Sequence, residues 1–318
     1  MKQEQTKFRT TIGGQALIEG ILMRGPNKQA IVVRDPKGGL VIQEEELRLI
    51  RDRYPILGLP LVRGSVTFLD SMYRGVKALM FSADYFPEEE TAEPSKFERW
   101  LEKKLGSGRM EKLVVVLAVV MAVFFSIGLF MLLPTFLADL VTRVSGSVLL
   151  RNLVDAVLRI GIFMTYLILV SQMKDIKRVF AYHGAEHKTI FCYERELPLT
   201  VENVRIQPKH HPRCGTSFLL VVIVVAILFN TVLFSLCPVG NVFLRMLIQL
   251  ALLPLVVGIT YEFNRYVGGH DNAFTNMLAR PGLWMQNFTT NEPDDSMIEV
   301  AIAAMERVIP TEKGKDSW

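Results

Sequence analysis

The chain alternates between long stretches with almost no polar position and stretches dense in charge. Residues 113–133 and 217–236 run without one charged side chain. Each reaches or nears the roughly 20 apolar residues that an α-helix needs to cross a hydrocarbon core about 30 Å thick. Residues 155–173 and 242–261 are nearly as apolar, and each holds an arginine near one end, Arg159 and Arg245, from where a long side chain reaches toward the interface. The pattern predicts four transmembrane helices. Residues 174–213 carry eight Lys and Arg, residues 237–241 carry none, and Lys103, Lys104, Arg109 and Lys112 crowd the start of the first span. Basic residues accumulate on the cytoplasmic side, so both termini and the central connection are expected in the cytoplasm.

The first hundred residues follow a different pattern. Apolar positions in residues 30–34 and 40–43 flank Pro36-Lys37-Gly38-Gly39 and predict a β-hairpin. Leu61, Gly64, Phe68, Met72, Gly75, Val76, Leu79 and Met80 recur at helical spacing, which predicts an amphipathic helix lying either on its own domain or on a membrane surface. Residues 86–104 are rich in Pro and Glu and read as a solvated linker that begins a helix leading into the bilayer. Near the C-terminus, Pro293, Asp294 and Asp295 precede an apolar helical pattern that runs to Val308. The expected architecture is an α-helical integral membrane protein with an N-terminal α+β cytoplasmic domain over 1–86 and a linker over 87–112. A four-span membrane domain follows over 113–261, with its central loop at 174–216, then a cytoplasmic C-terminal region over 262–318.

Composition agrees: half of the 318 residues are hydrophobic, and mean hydropathy is +0.28, which is high for a soluble enzyme of this length. The net charge of +4 is spread beside apolar segments rather than gathered in a tract, which gives no basis for nucleic-acid binding. Cys192, Cys214 and Cys237 are odd in number and lack CxxC spacing, so a disulfide scaffold is not expected. Residues 1–10 are polar with no apolar stretch behind them, so no cleavable signal is expected.

The most specific chemistry lies in His183-Gly184-Ala185-Glu186-His187. On a helix, His183 and His187 share one face at i and i+4, and Glu186 stands beside them, close enough to take a proton from water held on a metal. Inverted zinc metalloproteases share this spacing at five positions only, and their peptidase activity is not carried over. His210-His211-Pro212-Arg213-Cys214 precedes the third span, and the predicted topology brings His183, His187, His210, His211 and Cys214 to one level at the membrane surface. Glu194, Glu262, His270 and, from the glycine-rich run at 13–26, Glu19 are further candidates for ligands or for groups that orient them. The bland readings stand beside these: histidines and acids that pair with each other, a tight loop around Pro212 and Gly215, a local Glu262–Arg265 ion pair, and a turn-strand-turn at 13–26.

GGQALIEGILMRGP, YHGAEHKTIFCYE, HPRCGTSF and PGLWMQNFTTNEPDD together resemble the bacterial YqhQ-type membrane family, over nearly the whole chain. The resemblance implies a plasma membrane of Gram-positive type, a metal-dependent enzyme and an unassigned substrate.

Two functions stand at this stage. One is a hydrolase at the cytoplasmic membrane face. It would hold a divalent metal, zinc by its His and Cys ligands, on His183, His187 and one or more of His210, His211 and Cys214, with Glu186 as general base. Membrane lipid and a membrane-proximal or lipid-linked substrate are its expected partners. The other is a non-catalytic scaffold or regulator of envelope or division machinery that binds protein partners. A transporter has thin support, because Asn230 and Thr231 are the only polar pair deep in the third span.

Overall fold

Four short strands, β1 (Gly13–Leu17), β2 (Gly20–Arg24), β3 (Lys28–Arg34) and β4 (Leu40–Glu46), form an antiparallel meander in chain order. The computed structural model describes residues 8–47, 50–86, 107–237 and 239–318. Most of the linker expected over 87–112 lies outside them. The hairpin expected between residues 30 and 43 is present as β3 and β4, and Arg34 pairs with Leu40 across the turn. Asp35 caps this turn by accepting the amides of Lys37 and Gly39, and Gly38 supplies the positive φ it needs. The glycine-rich run at 13–26 is a second hairpin, β1 to β2, with Glu19 at its tip in the left-handed region.

Strands β2 and β3 read as nearly continuous apolar runs because both faces of the sheet are covered. After the short helix α1 (Ile50–Arg53), helix α2 (Val62–Ala83) covers one face, where Leu17, Leu22, Ile31 and Val33 meet Ala78 and Phe81. Next in the chain come α3 (Ser107–Ile127), a π-helical turn over Gly128–Leu132, α4 (Leu133–Ser145) and α5 (Val148–Ser171). Beyond them are α6 (Lys174–Glu194), the one-turn α7 (Val201–Arg205), α8 (Gly215–Leu236), α9 (Val242–Gly269), α10 (Ala273–Thr289) and α11 (Asp295–Val308). Helices α6 and α11 cover the other sheet face, so Ile21, Met23, Ala30 and Val32 share a core with Tyr182, Ala185, Ile298, Ala301 and Met305. The C-terminal helix expected from the sequence is therefore part of this core.

The chain divides into two compact units. Residues 1–86, 166–229 and 251–318 form one; residues 87–165 and 230–250 form the other. Among the described residues, four stretches are long and apolar enough to cross a membrane: Val116–Val141, Leu150–Ser171, Gly215–Leu236 and Phe243–Gly269. In the second unit the span arginines bond to neighbours. Arg159 bonds to Asp155 and to the Thr135 hydroxyl, and both Arg151 and Arg245 reach Asp139.

Candidate metal centre

The site is built on α6. This helix is buried on almost every side from Ala181 to Cys192 although it carries Glu186, His187, Lys188 and, two residues beyond that stretch, the buried Glu194. Such groups stay inside only when each has a partner or a task. Close packing starts at Gly184, where a Cβ would stand 2.0 Å from the Asn291 carbonyl oxygen. The run after α10 is held there by the Asn291 amide, which donates to the Phe180 carbonyl at 2.8 Å.

His183 and His187 do share one face, with ring centroids 4.3 Å apart. Cys214, immediately before α8, completes the group: His183 Nε2 is 3.2 Å from Cys214 Sγ, and one ligand atom from each of His183, His187 and Cys214 lies within 4.8 Å of the other two. The other ring nitrogen of each histidine is fixed by main chain. His183 Nδ1 donates to the Thr289 carbonyl at 2.8 Å, and His187 Nδ1 donates to the Lys209 carbonyl at 2.6 Å. Both bonds place the lone pair on Nε2, the tautomer a metal ligand needs. His187 Nε2 is buried without a hydrogen-bond partner, and so is Glu186 Oε2. Glu186 Oε1 is held by the Gly14 amide at 2.9 Å, which leaves the second oxygen free.

Electrostatics bind the group together. Burial pushes the Glu186 carboxyl up, against the pull of His183 and His187. Burial also disfavours charge on His183 and on Cys214, but each overcomes it through the other: the imidazole is pushed up to about 9, and the thiol is drawn well below its ordinary range by His183 and His187. The thiol is thus readily available as a thiolate. The Thr216 amide also donates to Sγ at 3.4 Å.

The remaining candidates fall outside this group of three. His211 is buried against Glu194 at 3.6 Å, takes the Arg213 amide on Nδ1, and is driven down to about 4, chiefly by burial. Glu194 is also bound by the Thr10 amide and by Arg213. Burial and the neighbouring Lys209 and His187 lower the pKa of His210, whose Nε2 is buried without a partner. Glu262 forms a bidentate pair with Arg63 at 2.7 and 2.5 Å, His270 Nδ1 bonds to the Tyr266 carbonyl, and Glu19 is bound by Arg178 and Tyr182. Sequence reasoning missed Gly14, whose amide orients Glu186, and Gln286, whose side chain clamps both the amide and the carbonyl of His211. Both sit inside motifs that the sequence marks as specific without indicating what they touch.

The family model described as Protein of unknown function (DUF1385) matches residues 59–311, which include His183, Glu186, His187 and Cys214. The chain belongs to this family. It is 33% identical over 315 residues to the protein described as Uncharacterized protein YqhQ of Bacillus subtilis (strain 168), an alignment covering 96% of this chain and 94% of that one. No solved structure matches the chain.

Proposed function

We propose that this family member is a multi-pass plasma-membrane protein with both termini in the cytoplasm. It binds a divalent metal, zinc by ligand chemistry, on His183, His187 and Cys214, and hydrolyses a membrane-proximal or lipid-linked substrate with Glu186 as general base. The observation that carries this reading is the pair of orphaned atoms beside the cluster. His187 Nε2 and Glu186 Oε2 are buried and unpartnered, while main-chain groups satisfy the opposite atom of each side chain. The donor set also fits the ion: two imidazoles and a thiolate suit zinc, and tetrahedral bonds of ordinary length set ligand atoms about 3.5 Å apart. The His183 to Cys214 separation of 3.2 Å is close to that.

A bound divalent cation would polarise a substrate oxygen and make a water molecule more acidic. The chain's own part is positional. Thr289 and Lys209 hold the two imidazoles in one tautomer, the Gly14 amide holds Glu186 Oε1 and leaves Oε2 unpartnered, and Oε2 would take the proton from water. The location of Cys214 beside the start of the α8 span supports a substrate that arrives at the membrane surface.

The test is metal content by elemental mass spectrometry on untagged, detergent-purified protein beside a His183→Ala/His187→Ala variant. One metal per chain in the wild type, absent from the variant, is expected; metal-free wild type overturns the proposal. A second reading, a structural centre in a scaffold, is favoured by the burial of all three ligands. Glu186→Gln separates the two readings. It abolishes function with metal and fold intact if Glu186 is a base, and complements fully in a scaffold.

A further inference from the structure

The segment between the sheet and the first span carries an apolar surface that no part of the protein covers among the described residues. Ile56 is 74% exposed, Leu69 64% and Tyr73 73%, with Leu59, Met72 and Val76 also exposed. On α2, Leu69, Met72, Tyr73 and Val76 fall at spacings of three and four and form one stripe, while Gly64, Gly75, Ala78 and Ser82 are buried. Alone, such a stripe would say nothing about what covers it.

Its contacts with α8 and α9 identify the occupant. Gly64 packs on α9 so closely that a Cβ there would be 2.6 Å from Tyr261 Cβ, and a Cβ on Gly258 would be 2.2 Å from the Leu61 carbonyl oxygen. Ser65 donates its hydroxyl to the Pro254 carbonyl at 2.6 Å, and Phe68 stacks near Phe218 in the first turn of α8. Pro254 lies seven residues before Tyr261 on α9, about 10 Å along the helix axis. The apolar run of α9 ends at Tyr261, just before Glu262 and Arg265. Where that run crosses a bilayer, the contact at Pro254 sits about that far inside it, the depth typical of an interfacial amphipathic helix.

The backbone before α2 suits that depth. Pro55 and Pro60 have no amide hydrogen, Leu57, Leu59 and Arg63 donate to carbonyls within the segment, and the Leu61 amide donates to Glu262 Oε1. The one charge at the start of the helix, Arg63, is neutralised by Glu262. Non-helical backbone is tolerated at membrane depth only when its polar groups are satisfied in this way.

We infer that residues 54–76 form a fifth membrane-embedded element, an apolar turn and in-plane helix whose stripe at Ile56, Leu59, Leu69, Met72, Tyr73 and Val76 contacts the acyl chains of the leaflet reached by the start of α8. The inference rests on the reading of α8 and α9 as membrane spans.

The test is photo-crosslinking of full-length protein in phosphatidylcholine–phosphatidylglycerol vesicles with a phosphatidylcholine carrying a diazirine on its acyl chain, followed by peptide mass spectrometry. Peptides from 54–80 should be labelled at least tenfold above those from α11, and to a degree similar to peptides from 217–236. A Leu69→Asp/Tyr73→Asp variant, altered only at exposed positions, should lose most of the 54–80 labelling and keep that of α8. Labelled spans with unlabelled 54–80 would overturn the inference alone and assign the stripe to a protein partner or a second copy. Unlabelled spans would overturn the membrane reading and the inference with it.

Discussion

Helices α6 and α8 are almost equal in length, 21 and 22 residues, yet they invert the usual relation between polarity and burial. α6 buries a glutamate, a histidine and a lysine within three consecutive positions, 186 to 188, whereas α8 leaves Leu228, Val232 and Leu236 exposed. In water both arrangements are costly: buried charge demands partners, and exposed apolar surface demands a cover. The two costs have different origins. On the proposed function α6 is polar inside because it carries the metal site, and the atoms it leaves unpartnered are ones a bound metal and its water would satisfy. On the same proposal α8 is apolar outside because it crosses a membrane, where lipid would solvate its exposed face.

The contrast is broken most forcefully where main chain meets main chain. Gly184→Ala places a Cβ 2.0 Å from the Asn291 carbonyl and should cost roughly 3 kcal/mol or more, read by unfolding in detergent, and should also lower metal content if the proposed metal is bound. Gly161→Ala, on α5, meets nothing within 4 Å and should be neutral or stabilising by up to about 1 kcal/mol. Equal losses at both positions would mean that α5 packs closely against a partner. Side-chain truncation should follow the same division. Ile298→Ala, in the core between α11 and the sheet, should cost about 2–5 kcal/mol, while Leu228→Ala should cost under about 1 kcal/mol in detergent. A large loss at Leu228 would give α8 a protein neighbour in place of lipid.

These regions also differ in how far the sequence disclosed them. The apolar lengths of the spans, the Pro36–Gly39 turn and the four-residue step from His183 to His187 are local signals, and local signals read directly. What selects Cys214 from the candidates around it is not local. His211 points to Glu194 because Gln286, 75 residues away in the chain, holds its backbone, and no periodicity encodes that choice. Glu186 is oriented by an amide 172 positions distant, in a glycine run that sequence alone reads as a turn. α10, which supplies the Thr289 carbonyl, carries Pro281 and Gly282 in its middle, a pair that obscures helical periodicity. Glycines that permit close packing, such as Gly14 and Gly184, carry meaning only once their neighbours are known.

A buried lysine next to the site gives a smaller test. Lys188 Nζ donates to the Arg205 carbonyl at 2.9 Å and pairs with Glu292 at 2.8 Å. Lys188→Met should cost about 1–3 kcal/mol, because the Arg205 carbonyl loses its donor. Glu292→Gln, whose carboxylate is largely exposed, should cost less than about 1 kcal/mol. If the two costs were equal, the ion pair and not the burial of the ammonium would be what stabilises this side of α6.

The smallest effect lies at the start of α11 and depends on pH. Asp294 caps this helix by accepting the Met297 amide at 3.0 Å, and it also accepts the Ser296 hydroxyl. Partial burial raises its pKa, but these bonds and the nearby Arg178 outweigh burial and hold the carboxyl below its ordinary value. A carboxyl depressed in the folded state stabilises the fold above its unfolded pKa, near 4, and that contribution disappears as pH falls through the folded pKa. Asp294→Ala should therefore cost about 1 kcal/mol at neutral pH, and the gap to wild type should narrow as the solution is acidified below pH 4. Asp294→Asn keeps an acceptor for Met297 and should recover most of the loss, with little pH dependence of its own. Unfolding midpoints of the three proteins across that range decide the matter: a gap that stays constant into acid would mean that the cap acts through its shape alone and that its charge contributes nothing.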